Sequence, residues 1–386
     1  MSKKQVSYTF CPEYELNEVR EAIEKIFSSF PDLEDKFRPQ TPVNVLLKPN
    51  LLAARHPDKA ITTHPVVLKA VIDYLKQFNC NITIADSPAG VYNDKALEKL
   101  YKACQIDTIA RETGCSLNFD ASDQVINLPE GKVLKKCLMI KPAVEADFII
   151  NIAKLKTHTL TRLTCATKNL FGIMPGVLKY RQHIVMPDLK VFSQMLLDIN
   201  KHFEHKVFHI VDGIIGMEGE GPGSKGEPKF AGALFGGWDS GSVDILACHI
   251  MGMPVNTVPT LANYKGLEDI NILAFDEIRT HNFKLPPVRY KSLPDYIPDW
   301  VQNILMELMV AKPLIDSKTC KKCNICIEAC PAEIIEAGDK GVCISDYKNC
   351  IKCYCCQEAC PHGAINLSQP LIERIFRFFR KINKKS

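Results

Sequence analysis

Over residues 1–285 the spacing of apolar side chains switches repeatedly between two periods. "ELNEVREAIEKIFSSF" (15–30) places apolar positions three and four apart, the mark of an amphipathic helix. "HPVVLKAVIDYLKQF" (64–78) and "DKALEKLYKAC" (94–104) repeat that spacing, and Pro65 sits in a first turn, where its missing N–H costs nothing. Between the helices lie short apolar runs of strand length: "VNVLL" (43–47), "NITIADSPAG" (81–90) as strand then loop, "DFIINIA" (147–153), "VFHIVDG" (207–213) and "INILAF" (270–275). Strands apolar on both faces need helices on both faces. The pattern therefore predicts an α/β fold with a large, mostly parallel sheet covered on each side. In such sheets ligands gather beyond the carboxyl ends of the strands. Three polar segments fall at such ends: "KPN" (48–50), "DSPAG" (86–90) and "DGIIGMEGEGPG" (212–223).

Residues 286–313 break the alternation, with prolines punctuating one apolar helix pattern, and read as a linker. Residues 314–370 hold short loops and short helices, which predicts a small α+β unit. The tail "LIERIFRFFRKINKKS" (371–386) puts Ile372, Ile375, Phe376 and Phe379 on one helical side and most cations elsewhere. Such a helix can lie on an anionic membrane surface or dock an acidic partner; folding back on its own domain is the plainer alternative.

Apolar residues make up 46% and charged residues 24% of the chain, as in ordinary soluble proteins. No apolar run is long enough to span a bilayer, and "MSKKQVSYTFCPEYE" has no apolar core for a secretory signal. The net charge is +4, but the tail alone carries six Lys or Arg against one Glu. The rest of the chain is slightly acidic, so charge gives no reason to expect a nucleic-acid partner. A cytoplasmic protein is expected, with the tail as its peripheral contact at the inner membrane face.

There are 17 cysteines, and "CKKCNICIEACP" (320–331) and "CIKCYCCQEACP" (350–361) hold nine of them, eight at repeated positions plus Cys355. The others follow no framework spacing, which fits a reducing compartment. Each run reads C-x-x-C-x-x-C-x-x-x-C-P, the bacterial two-cluster spacing in which the fourth cysteine ligates the other cluster. One 4Fe–4S centre is expected on Cys320, Cys323, Cys326 and Cys360, the second on Cys350, Cys353, Cys356 and Cys330. A pair of zinc sites is the competing reading, although zinc motifs rarely use four cysteines per run. Cys343 and Cys355 fit no ligand slot and are expected to be packing thiols. Residues 314–368 resemble bacterial-type ferredoxins, which implies two pseudo-symmetric halves that pass single electrons.

"NIAKLKTHTLTRLTCATKNLFGIMPG" (151–176) follows a strand and holds Lys154, Lys156, His158, Arg162 and Lys168, five threonines and no acid. Cations among hydroxyls suit a phosphate or carboxylate ligand; a basic surface loop is the alternative. "GPGSKG" (221–226) matches a dinucleotide fingerprint in letters only, since strand-like "FAGALFGG" follows where a helix is required. A loop acting as a lid or clamp fits better. Glu218 and Glu220 on it could bind metal, relay protons or simply be solvated. No flavin or nicotinamide signature is present.

"NIAKLKTHTLTRLTCATKNLFGIMPG", "DGIIGMEGEGPGSKGEP" and "WDSGSVDILACHIMGM" resemble the domain-of-unknown-function family 362, whose members often carry a C-terminal ferredoxin module. The resemblance implies that Lys48, Asn50, Asp86, Lys156, His158, Lys168, Asn169, Asp212, Glu218, Asp239 and Asp244 occupy the family's polar motif positions. It implies a shared fold and iron–sulfur binding, and no settled reaction.

These readings converge on an iron–sulfur oxidoreductase of anaerobic, low-potential chemistry. Electrons from a ferredoxin- or flavodoxin-type donor would pass through two 4Fe–4S clusters to an anionic small molecule. Lys48, Asn50, Asp86, Lys154, Lys156, Lys168 and Asn169 are the candidate substrate-binding residues, and His158, Asp212 and Glu218 the candidate proton carriers. The rival reading is a non-enzymatic electron carrier, or a cluster- or metal-delivery protein, that docks a partner. A concave site beside one cluster would separate the two.

Overall fold

Nine strands hydrogen-bond into one sheet whose order follows from which segments can be buried on both faces. The computed structural model describes residues 4–88, 90–176, 178–186, 188–286, 311–338 and 341–368. The linker helix and basic tail anticipated above fall outside these residues. From the N-terminus the chain runs β1 (Gln5–Phe10), α1 (Leu16–Ser28), a one-turn α2 (Pro31–Glu34), β2 (Val43–Pro49), α3 (Pro65–Leu75), β3 (Cys80–Ile84), α4 (Asp94–Ala103), α5 (Ile106–Thr113) and β4 (Ser116–Leu117). A separate ribbon of β5 (Asp123–Asn127) and β6 (Lys136–Ile140) leads through α6 (Lys141–Glu145) to the long β7 (Phe148–His158) and its hairpin partner β8 (Arg162–Thr164). Then come α7 (Ala166–Asn169), α8 (Leu178–Val185), α9 (Leu189–Phe203), β9 (Val207–Gly219), β10 (Gly226–Gly237), α10 (Ser240–Met251) and β11 (Asn271–Ala274).

The sheet order is β11-β1-β10-β9-β7-β2-β3-β4, with β8 attached to β7. Strands β9, β7, β2, β3 and β4 are mutually parallel, as are β11 and β1, while β10 runs antiparallel to both β1 and β9. The fold is α/β with a mostly parallel sheet. Alternation on each strand feeds two cores. Val45, Leu47, Ile150, Ile152 and Phe208 meet α1, α3, α4 and α5 on one face. Leu46, Ile149 and Val207 meet α6 and α9 on the other, where Tyr8, Ala153, Leu155 and Phe235 also pack on α10.

Two expectations need correction. Strand β7 does not end at residue 153: it continues through Lys154, Lys156 and His158, because β9 and then β8 supply ladder partners to those polar residues. The 270–275 segment is not a buried strand either. Its strand β11 pairs only with β1, at the sheet edge, and Asn271, Leu273 and Ala274 are exposed.

Beyond residue 310 the described chain forms a small unit of β12 (Pro313–Ile315), α11 (Ile325–Glu328), β13 (Ile335–Gly338), β14 (Gly341–Ile344), α12 (Cys355–Ala359) and β15 (Ile365–Leu367). β12 pairs with β15 and β13 with β14. Each cysteine run turns on two left-handed residues at equivalent places, Lys322 and Asn324 in the first, Lys352 and Tyr354 in the second. The sequence repeat is thus a backbone repeat.

Candidate functional site

The carboxyl ends of β2 and β7 bury three lysines: Lys48 and Lys156 are 0% exposed and Lys154 is 1% exposed. Burying an ammonium group is tolerable only where partners replace water. Lys48 Nζ lies 2.7 Å from Asp86 Oδ1 and donates to the Pro49 carbonyl at 2.8 Å. Lys154 Nζ lies 2.8 Å from Asp212 Oδ2 and donates to the Tyr14 hydroxyl, which donates to Asp212 Oδ1 at 2.8 Å. Tyr14 is itself stacked on His64, whose backbone N–H also donates to Asp212. Lys156 has neutral partners instead: its Nζ donates to Asn50 Oδ1 at 2.8 Å and to the Ile61 carbonyl at 2.7 Å. Burial depresses all three ammonium pKa values; the carboxylates oppose this for Lys48 and Lys154. Lys156 falls well below the usual lysine range, through burial first and then through Lys168 and Lys154 nearby.

A chain of amides aims the Asn50 oxygen at Lys156. Asn50 Nδ2 donates to Asn169 Oδ1, Asn169 Nδ2 to Asn151 Oδ1, and Asn151 Nδ2 to His209 Nδ1, each at 2.8 Å. His209 is fully enclosed and its pKa is lowered to about 3 by burial, so it stays neutral and can accept. Each amide is oriented by the next, which makes the assembly cooperative.

Beside this network opens a cavity lined by Lys48, Asn50, Asp86, Ser87, Thr164, Lys168, Asn169, Gly172, Lys179 and Pro222, and also by Cys355 and Glu358 of the cysteine-rich unit. Gly172 is required where it stands: a Cβ there would meet Asp86 Oδ1 and Lys48 Nζ inside contact distance. Lys168 makes no hydrogen bond among the described residues, and the buried Thr164 hydroxyl likewise has no partner there. Lys179 donates to the Ser87 carbonyl and is lowered to about 7, by burial first. Burial also lowers Lys168, against the pull of Glu358 and Cys355. Free donors on a cation-rich wall suit an anion.

The cysteine-rich unit closes the cavity. His158 Nδ1 accepts the N–H groups of Leu160 and Thr161, which leaves the ring proton of a neutral imidazole on Nε2, 3.2 Å from Glu358 Oε1. Burial pushes the Glu358 carboxyl up, while Lys168 and Lys156 pull it down. Tyr354, 1% exposed, packs on Leu160 at the β7–β8 turn. The tip between β9 and β10 grips the other side: Ser224 donates to the Cys360 carbonyl at 3.0 Å and Lys225 to Asn366 at 2.7 Å. A Cβ on Gly223 would strike the Glu358 carbonyl.

Within the unit the eight thiols divide between two cavities. One is lined by Cys320, Cys323, Cys326 and Cys360, the other by Cys330, Cys350, Cys353 and Cys356. Among the described residues no group of three or more His, Cys, Asp or Glu closes on a single-ion site.

Several candidate residues sit elsewhere than expected. Lys154 and Asp212 neutralise each other and do not line the cavity. Glu218 is also away from it, its carboxylate taking the Lys284 N–H at 2.8 Å because the 283–285 segment runs alongside β9. Lys156 and His158 stand behind the wall rather than in it. Asp239 caps α10 through Ser242, and Asp244 accepts the Ala166 and Thr167 N–H groups at the start of α7. The glycine-rich loop is a hairpin tip followed by a strand, as its sequence required. Cys355 packs with Ala329 as expected and also lines the cavity, whereas Cys343 is exposed. Thr164, Lys179 and Glu358 were not anticipated as wall residues; only the lack of acids around Thr164 offered a signal.

Two predictions follow from the buried charges. Lys154→Met should cost about 3–5 kcal/mol by urea unfolding, because it strands a buried carboxylate, and the double variant with Asp212→Asn should regain most of the loss. A full loss in the double variant would contradict a pairing role. Lys179, lowered to about 7 when folded, binds a proton in the unfolded chain that it lacks in the folded one between pH 7 and its ordinary value. Its contribution to stability therefore rises with pH across that window, by at most about 1.4 kcal/mol per pH unit. The difference in unfolding free energy between parent and Lys179→Met should move in that direction between pH 7 and 9.

Known proteins give the cavity a lineage. A thylakoid-associated protein of Synechocystis sp. is 30% identical over 259 residues, covering 63% of this chain and 76% of its own. Among solved structures, the lactate racemase apoprotein of Thermoanaerobacterium thermosaccharolyticum matches at TM-score 0.38 and 15% identity, over 62% of this chain and 57% of that one. A Thermotoga maritima protein matches at TM-score 0.34 and 13% identity, over 58% and 56%. The chain thus spans little more than half the length of these two structures, and likeness at that level says nothing about chemistry. The family described as "Domain of unknown function (DUF362)" matches residues 45–249, from β2 to α10. That span contains every cavity residue except Cys355 and Glu358, and the chain belongs to the DUF362 family.

Proposed function

We propose that this protein is an iron–sulfur reductase whose substrate is a small anion held in the cavity between the α/β sheet and the cysteine-rich unit. The observation that carries the reading is the shared wall: Cys355 and Glu358 come from the second cysteine run, between the thiols of Cys353, Cys356 and Cys360. A pure carrier needs only a flat docking surface, whereas this wall is concave and bears unpaired donors.

The cysteines fit two 4Fe–4S groups. Four thiols line each cavity, in the crossed sets that the spacing implies, and the left-handed residues at equivalent places in each run belong to a class of turn that can favour anionic groups. Thiols spread around a cavity favour a multi-iron group over zinc, which would draw four sulfurs onto one ion. When bound, such groups supply single electrons at low potential. Lys168, Lys179 and Thr164 bind and orient the anion. Lys48 and Asp86 hold the floor rigid, and the Asn50–Asn169–Asn151 chain fixes Lys156 behind it. Glu358, steadied by His158, is the carboxyl at the wall that can hold a proton beside the substrate. A low-potential ferredoxin or flavodoxin is the proposed electron donor. Peripheral membrane contact through the 371–386 tail is proposed as well, in keeping with the thylakoid association of the Synechocystis relative. No helix among the described residues is long and apolar enough to cross a membrane.

Anaerobic analysis should find about eight irons per chain. Zinc instead, or about four irons, would remove the basis of the reading. Cys330→Ser should damage the group of the second set and spare the first, as seen by electron paramagnetic resonance. For the cavity, the reduced protein is challenged with phosphate- and carboxylate-bearing oxidants. Loss of a charged hydrogen bond is worth about 1.5–3 kcal/mol, so Lys168→Ala should weaken apparent binding by about ten- to a hundredfold, with the iron content unchanged. Lys168→Ala and Thr164→Val reoxidising at the parent rate with every active oxidant would place the site elsewhere. Reoxidation only by another protein would favour the carrier.

A further inference from the structure

The two cysteine runs repeat each other in sequence but not in surroundings. In the second, Cys355 is 1% exposed, and both it and Glu358 line the anion cavity. Their counterparts in the first run, Ile325 and Glu328, are exposed, with Ile325 at 39%. Cys323 is exposed whereas its counterpart Cys353 is half-buried. Cys355 stands in the chain between Cys353 and Cys356, so the cavity wall adjoins the second thiol set. Around the first set the surface is basic: Lys318, Lys321 and Lys322 are exposed beside Cys320 and Cys323. Of the acids nearby, Asp316 is held by Thr319 and by the Lys318 N–H, and Glu328 stands exposed on α11.

We propose that the two sets have fixed and unequal places. The set Cys320, Cys323, Cys326 and Cys360 takes electrons from an acidic one-electron carrier protein docked on the Lys318–Lys322 face. The set Cys350, Cys353, Cys356 and Cys330 hands them to the anion in the cavity. Electron transfer weakens steeply with distance, so the set that reaches the surface through Cys323 serves a protein partner and the set beside the cavity wall serves a buried acceptor. Opposite charge on the two partners speeds their encounter and fixes its geometry. Each electron that leaves the carrier oxidises it by one unit, and each that arrives reduces the acceptor by one unit; no bond in this protein is made or broken. The proposal rests on the iron–sulfur reading above and adds direction to it.

The test uses the full chain, reconstituted anaerobically with iron and sulfide. In one arm, Lys318, Lys321 and Lys322 are all changed to Glu. Reduction by an acidic ferredoxin should slow about tenfold or more at low ionic strength, the gap closing as salt screens the charges. Reduction by methyl viologen radical should not slow. In the other arm, Lys168→Met removes a positive charge from the cavity. It should lower the midpoint potential of one paramagnetic signal only, the one that Cys353→Ser abolishes. A triple variant reduced by ferredoxin at the parent rate and with the parent salt dependence would overturn the docking face. A shift confined to the signal that Cys323→Ser abolishes would reverse the proposed order. Absence of iron from the parent would overturn the cofactor reading instead, and failure of every anion to reoxidise the protein would overturn the substrate reading while leaving the order measurable.

Discussion

Three lysine side chains are buried at the carboxyl ends of β2 and β7, and only two of them are paired with a carboxylate. That imbalance organises the site. A lone charge in a low-dielectric interior is costly, and much of the surrounding sequence answers this cost. Asp86 and Asp212 come from loops and strands far from the lysines in sequence, yet each ends within 2.8 Å of one. Lys156, the third, is held by oxygens of Asn50 and Ile61, and the amide chain behind Asn50 fixes which way that oxygen points. The result is an end of the sheet rich in lysine donors, with little freedom to relax. A preorganised field of this kind can hold an anion without further rearrangement.

The same constraint explains why the backbone comes so close. Gly172 lets the segment after α7 lie directly on the Lys48–Asp86 pair, sealing it from water. Gly221 and Gly223 let the β9–β10 tip pass between Thr157 and Glu358, where any side chain would collide with a carbonyl. The hairpin tip therefore belongs to both bodies, and it fixes the wall formed by α12 against the sheet. Glycines in this loop serve close approach, not a nucleotide.

Much of the fold was legible because its signals are local. The helical periods of α1, α3 and α4 and the apolar runs of β2, β3 and β9 each lie within a few residues of chain. Strand β7 was read too short because Lys154, Lys156 and His158 look like loop residues when only their polarity is considered. Their burial depends on Asp212, Asn50 and Glu358, which spacing along the chain does not connect to them. For the same reason the acid-free segment looked like a row of unpaired cations, although Lys154 has its counter-ion on the neighbouring strand. The cysteine spacing is a local signal as well, and the thiols it groups line two cavities. Thr164, Lys179 and Glu358 were not read as wall residues, because what distinguishes them is a shared wall built from separated parts of the chain.

The glutamates of the two cysteine runs bear on how such a wall can arise. Glu328 and Glu358 hold the same place in a repeated unit; one is in solvent and the other faces Lys168 across a cavity. A duplicated module brings two copies of every surface residue. Only the copy pressed against a neighbour has a different environment, while its twin stays in solvent. Docking one half of a repeated unit places at the cavity wall a carboxylate whose equivalent in the other half is solvated. Glu328 then serves as an internal control, the same residue on the same scaffold with the neighbour taken away.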